Sequence, residues 1–347
     1  MNEAHHTSQD VRDFIIQNLE KFPGSISKEI SNRFGIKRQS VNVHLRKLIE
    51  EGVLAAQGNT RNKRYYFKPM ADRTYTIELT RLLEEDQVWR EKIEGLLKGI
   101  RPNILQICHH GFTEMFNNVI DHSEAQNCTV HVIRTIKKID IDIIDKGIGI
   151  FDKIKNGCGL EDQRHAILEL AKGKLTTDPA RHSGEGIFFT SRMFDKFSIL
   201  SGELFFTRDS GDDDEWLIED ARNKVKGTSV FLSINTDTNR TSKEVFDRYA
   251  SAADDYGFTR THVPVKLAIY GEENLVSRSQ ARRLLARFDR FKEVFLNFEG
   301  INLIGQAFAD EIFRVYKNEH PQIEIVWINT NKDVENVILS VLKNRGT

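Results

Sequence analysis

The chain has 347 residues, 39% hydrophobic and 29% charged, with a mean hydropathy of −0.45. At roughly 100–200 residues per domain this means two or three domains of ordinary globular composition, and it excludes a largely disordered chain. The net charge of −1 hides an asymmetry, because residues 1–70 hold 12 Lys/Arg against 7 Asp/Glu and the remainder holds 38 against 44. Within 33–68 the count is 9 basic to 2 acidic. A basic head on an acidic body suggests that the head meets a polyanion, although a solvated basic face gives the same count. The cysteines, Cys108, Cys128 and Cys158, are few, odd in number and without metal-ligand spacing, which suits a reduced, cytoplasmic protein. No stretch approaches the ~20 apolar residues of a membrane span, and no secretory signal opens the chain.

Residues 7–67 read as three helices and a hairpin. Thr7 or Ser8 caps the first helix, whose apolar positions Val11, Phe14, Ile15 and Leu19 follow helical spacing. Ser25 or Ser27 begins the second, and Gly35 turns the chain into a third helix from about Lys37 to Glu51, with Val41, Leu45, Leu48 and Ile49 inward. Its outer side carries Arg38, Gln39, Asn42 and Arg46, and a polar turn at 58–62 leads to Lys63-Arg64-Tyr65-Tyr66-Phe67. The stretch SISKEISNRFGIKRQSVNVHLRKLIEEGVL resembles the winged helix-turn-helix of bacterial regulators. The resemblance implies that Arg38, Gln39, Ser40, Asn42 and Arg46 meet DNA in the major groove, and that Arg61, Lys63 and Arg64 sit on the wing. A protein-docking winged helix is the alternative.

Residues 75–100 are expected to form an amphipathic connector or dimerisation helix, with Leu79, Leu82, Leu83, Trp89, Ile93, Leu96 and Leu97 apolar. In NILQICHHGFTEMFNNVIDHSEA a buried helix carries Glu114 and Asn118 four residues apart and therefore on one face. A carboxylate and an amide there need partners, which a divalent metal and an activated water would supply. Strands follow at 128–134 and 139–144, the second ending in Asp145-Lys146-Gly147-Ile148-Gly149. His182-Ser183-Gly184-Glu185-Gly186-Ile187 then opens a helix, whose free N–H groups suit phosphate, and Lys226-Gly227-Thr228-Ser229 leads into a strand over 230–234.

These four pieces, in this order, resemble the ATP-binding domain shared by histidine kinases, gyrase B, Hsp90, MutL and anti-sigma-factor serine kinases, over about residues 95–235. The resemblance implies Glu114 as general base and Asn118 as the Mg²⁺ holder. It also implies Asp145 as acceptor for the adenine amino group, with Gly147 and Gly149 on the adenine-side wall. Gly184 and Gly186 would approach the phosphates, Thr228 would support the adenine end, and a lid over about 151–183 would bring Arg181 and His182 near the γ-phosphate. His109 and His110 lie on the nucleotide helix and read as structural or rim residues rather than phosphoacceptors.

From about Val263 strands and helices alternate: a strand over 265–270, a helix over 279–288, a strand over 293–298, a helix over 306–316, a strand over 323–328 and a helix over 332–342. VFLNFEGINLIGQAFADEIFRVY resembles STAS-like domains, the fold of anti-sigma-factor antagonists. The loop that carries a phosphorylated Ser in those antagonists reads Ile304-Gly305-Gln306-Ala307 here, with no hydroxyl, so a docking or dimerisation domain is expected.

The expected architecture is therefore α+β and multidomain. It comprises a winged helix (1–70), a helical connector (71–100), a two-layer α/β sandwich of the Bergerat ATP-binding fold (101–240) and a small α/β STAS-like sheet (262–347). The expected function is an ATP- and Mg²⁺-binding transcription regulator whose DNA or partner binding is switched by Mg-ATP binding or hydrolysis, with DNA, a protein partner and a second copy of the chain as partners and no membrane. A serine/threonine kinase acting on a separate protein, and a defence-type ATPase targeted by the head, are the alternatives.

Overall fold

The computed structural model describes residues 7–59, 62–175, 184–210, 215–252, 255–269 and 273–343. The chain is α+β with several sheets. Its N-terminal unit is α1 (Ser8–Asn18), α2 (Ile26–Phe34), α3 (Arg38–Glu50) and the antiparallel hairpin β1 (Leu54–Gln57) and β2 (Arg64–Phe67). Thr7 and Asp10 form a reciprocal capping box that starts α1. Gly35, at φ 65°, ends α2 in the left-handed conformation that lets α3 cross it. Val11, Ile15, Ile26, Ile30, Val41 and Leu45 make a core belonging to this unit alone.

Three residues after β2 the chain enters β3 (Ala71–Glu78), the edge of a five-stranded antiparallel sheet in the order β3-β4-β5-β7-β6. The other strands are β4 (Asn127–Arg134), β5 (Lys138–Asp145), β6 (Lys196–Asp209) and β7 (Glu215–Asn235). Register is fixed by alternation: Ile139, Ile141 and Ile143 of β5 face inward and alternate with the outward Asp140, Asp142 and Ile144, opposite Val130 and Val132 of β4 and Val230, Leu232 and Ile234 of β7. Against this face lie α5 (Pro102–His122), with Pro102 pre-set for its first turn, and α6 (Ile150–Cys158), α7 (Gln163–Lys172) and α8 (Gly186–Met193).

The single helix expected over 75–100 does not form. Its first part is β3, paired with β4 over eight residues, and Leu82 in the following loop is 90% exposed. Only α4 (Glu85–Val88) and the continuing π and 3₁₀ turns, Trp89–Ile93 and Glu94–Leu97, are helical. Thr74-Tyr75-Thr76-Ile77 is a β-branched and aromatic run, and the pairing offered by β4 decides its conformation.

Beyond α9 (Ser242–Arg248) and the short pair β8 (Ala250–Ala252) and β9 (Asp255–Phe258), a second sheet begins. It contains β10 (Arg260–Pro264), β11 (Glu293–Asn297) and β12 (Glu324–Ile328), all parallel, in the order β10-β11-β12. The strand expected at 265–270 is displaced: β10 ends at Pro264, and Val265–Ala268 is a 3₁₀ turn. Crossovers are α10 (Arg278–Leu285) and a helix that runs through α11 (Gln306–Asp310), a π turn (Glu311–Tyr316) and α12 (Lys317–Glu319). The last element is α13 (Lys332–Lys343). The core of this sheet is continuous with that of the five-stranded sheet.

Candidate functional site

A cavity of about 290 Å³ opens between α5, the end of β5, α6, α7 and the start of α8. It brings together Glu114 and Asn118 of α5, Asp145 and Gly149 after β5, Gly184 and Gly186 at α8, and Thr228 of β7. These seven come from stretches more than 100 residues apart. Gly147 does not line the cavity but is packed directly behind it. A Cβ there would lie 1.8 Å from the Ser123 carbonyl oxygen, so only glycine lets the loop close this tightly on the end of α5.

Asp145 is the buried carboxylate of the site, 3% exposed. It accepts the Gly147 N–H at 2.8 Å and bonds from Thr228. Burial raises its carboxyl above the ordinary aspartate value, against the pull of those hydrogen bonds. The Thr228 hydroxyl accepts the Ile150 N–H at 3.0 Å and so fixes the first turn of α6. The Ile148 N–H is held by the Ser123 carbonyl at 2.9 Å. At the opposite end Gly186 stands against Glu114: a Cβ at 186 would fall 2.0 Å from Glu114 Oε2. The carboxylate thus sits over the N-terminal turn of α8, where exposed N–H groups favour negative charge.

Sequence reasoning missed part of the lining. Asn117 and His122, polar residues of the same buried helix that were not carried into the expected site, lie on the Glu114–Asn118 face of α5, Asn117 within the same turn and His122 one turn on. Lys153, paired with Glu124 at 2.9 Å, and the apolar Ile154, Leu170 and Leu175 come from elements whose packing no motif announces. Much of the stretch expected to be a lid, 151–183, is core instead. Phe151 of α6 and Ala166, Ile167 and Leu168 of α7 are fully buried. Residues 176–183, with Arg181 and His182, lie outside the described residues.

His109 and His110 do not line the cavity. His109 bonds Asp86 at 3.1 Å beside Trp89. His110 packs edge-on against Phe246, and burial lowers its pKa to about 4. Cys108 and Cys128 are buried thiols raised to about 12 by burial.

On the N-terminal unit a groove of about 700 Å³ separates α2 from α3 and the hairpin. Arg38, Asn42, Arg46 and Lys63 line it. Lys28, Ser27, Ser31 and Tyr65 join them, additions that the motif did not supply. Gln39, Ser40 and Arg64 are exposed beside it, Val43 stands 65% exposed among them, and Arg61 lies outside the described residues.

Among the described residues no group of three or more His, Cys, Asp or Glu side chains converges to hold a metal, and no helix is long and apolar enough to cross a membrane. Glu114 and Asn118 supply hard oxygen donors on one wall of the cavity. That donor set fits a magnesium ion held chiefly through ligand phosphates, because Mg²⁺ takes only one or two protein oxygens in such sites.

Residues 280–335 match the family model described as a STAS-like domain of unknown function (DUF4325). No curated protein matches the chain. The match covers α10, β11, the α11–α12 helix, β12 and the start of α13, so the C-terminal sheet carries a STAS-like segment. At its α11 N-terminus Gly305 precedes Gln306 and Ala307.

Proposed function

We propose that this chain is an ATP-binding regulator with a winged-helix DNA-reading head, a Bergerat-type nucleotide domain and a STAS-like C-terminal domain. The observation that carries the reading is the convergence of Glu114, Asn118, Asp145, Gly149, Gly184, Gly186 and Thr228 on one cavity. Asp145 would accept from the adenine amino group, with its carboxylate already held by Gly147 and Thr228. Asn118 would hold Mg²⁺, which when bound would neutralise phosphate charge. Glu114 would take a proton from an attacking water or hydroxyl. In the head, Arg38 and Arg46 would read guanine edges or phosphates, Asn42 adenine, and Val43 a thymine methyl.

The test is isothermal titration with Mg-ATP, single-turnover hydrolysis, and a gel shift on genomic fragments with and without ATP. Asp145→Asn should weaken ATP binding by at least tenfold. Glu114→Ala should keep binding and lower turnover by roughly 10²–10⁴. Equal turnover in Glu114→Ala would remove the base assignment, and DNA affinity indifferent to ATP would remove the proposal that ATP switches DNA binding. A second reading, a serine/threonine kinase acting on a separate protein, is favoured by the STAS-like match in the same chain. Labelled γ-phosphate appearing on protein rather than as free phosphate would select it.

A further inference from the structure

The wall of the cavity opposite α5 is made by α7 and α8, through Leu170, Leu175, Gly186 and Ile187. Each of these helices carries a buried cation that reaches the C-terminal domain. Lys172, at the end of α7, is 1% exposed. Its Nζ donates to the Ala286 carbonyl at 3.0 Å and the Arg283 carbonyl at 3.3 Å, and lies over the Phe288 ring at 5.3 Å. Those carbonyls belong to the last turn and C-cap of α10, where helical partners run out, so a helix of one domain is capped by a lysine of another. Glu169, one turn back on α7, neutralises the ammonium at 2.5 Å and is itself buried.

Arg192 of α8 does the matching work against the sheet. It donates to the Ala171 carbonyl at 3.0 Å, the His262 carbonyl at 3.3 Å and the Tyr249 hydroxyl at 3.1 Å. From β10 the buried Thr261 hydroxyl returns a bond to the Lys172 carbonyl at 2.7 Å. Lys174 and Arg290 exchange bonds as well: Lys174 Nζ to the Arg290 carbonyl at 2.9 Å, and the Arg290 guanidinium to the Lys174 carbonyl at 2.6 Å. Every one of these contacts lies within five residues of a cavity-lining position on α7 or α8.

We infer that the STAS-like domain is the regulatory partner of the cavity in cis: ligand occupancy and the conformation of the α10–β11 segment form one coupled equilibrium, transmitted by Lys172 and Arg192. The physical ground is that buried ion pairs and close packing resist independent displacement. A shift of α7 or α8 toward a ligand must either carry 261–262 and 283–290 with it or leave charges unpartnered. Coupling is reciprocal, so whatever binds the STAS-like domain changes ligand affinity at the cavity by the factor through which the ligand changes its own. This inference rests on the nucleotide reading given above.

The test uses the full chain, Mg-ATP and hydrogen–deuterium exchange read by mass spectrometry, with equilibrium dialysis run in parallel. ATP should slow exchange at least threefold in 278–291 as well as in the cavity segments 114–119 and 145–151. Glu169→Gln with Lys172→Met, which removes both charges together, should keep ATP binding and lose the effect in 278–291. Thr261→Val, a milder and near-isosteric change, should reduce that effect and covers the case in which the double variant fails to fold. ATP bound with exchange altered only in the cavity segments would overturn the coupling and leave the nucleotide reading standing. No binding in dialysis would overturn the nucleotide reading, and the coupling with it.

Discussion

The N-terminal unit and the C-terminal domain are attached to the central sheet in opposite ways. The head keeps its own core and meets the body at the β4–β5 turn, through Ile136 and a Lys138–Glu20 pair at 3.5 Å, and through the three-residue step from β2 to β3. The C-terminal domain shares a continuous apolar core with the central sheet and is riveted to it by buried Lys172 and Arg192. Elements that share one core open and shift together more readily than elements with separate cores, while coupling across a small docking contact does not require a common core. By this criterion the cavity is tied more tightly to the STAS-like domain than to the basic head.

Lys172→Met is the most direct way to break the comparison. It leaves Glu169 buried with only Arg287 at 3.8 Å and His165 at 3.5 Å beside it, and up to about 3 kcal/mol of body stability should be lost, seen as a fall in the main calorimetric transition. Pairing it with Glu169→Gln should return most of that loss. On the other side, Leu45→Ala opens a cavity in the head core at a cost of roughly 2–5 kcal/mol. The head should then melt in its own early transition while the body transition holds, and a single merged transition would contradict separate cores.

Protonation sharpens the contrast from within the body. His110 has its pKa lowered to about 4 by burial, against an ordinary 6.5. Between those values the unfolded chain takes up a proton that the folded chain refuses, so stability falls as pH drops from 6.5 toward 4. The loss is on the order of 2 kcal/mol by pH 5. Thermal melts of wild type and His110→Phe across pH 7 to 5 should differ by that slope. The smallest effect belongs to the proposed DNA contact. Arg46→Ala should weaken DNA binding by about tenfold and lower the salt slope by about one, with ATP affinity unchanged.

Local signals were legible where one element carried its own instruction. A cap at Thr7 or Ser8, Gly35, and the inward Val41, Leu45 and Leu48 placed the head helices from local pattern alone. Glu114 and Asn118 announced a polar face on an otherwise buried helix, and the next turn of that face, His122, was equally readable. The misreadings came where a partner decides. Residues 71–78 became a strand because β4 offers eight paired positions, and β10 stops at Pro264, six residues earlier than hydrophobicity suggested, because the 3₁₀ turn Val265–Ala268 follows it.

The sequence by itself marked out the polar residues and glycines on which the proposal rests, since helical and strand periods, turn glycines and a charge count are properties of neighbours along the chain. The tertiary structure alone decided that those residues surround one cavity and that part of the expected lid is core. It alone decided, too, that a lysine of α7 caps α10 more than 100 residues away. Such contacts depend on which buried surfaces meet, and no local pattern records the partner of a buried charge.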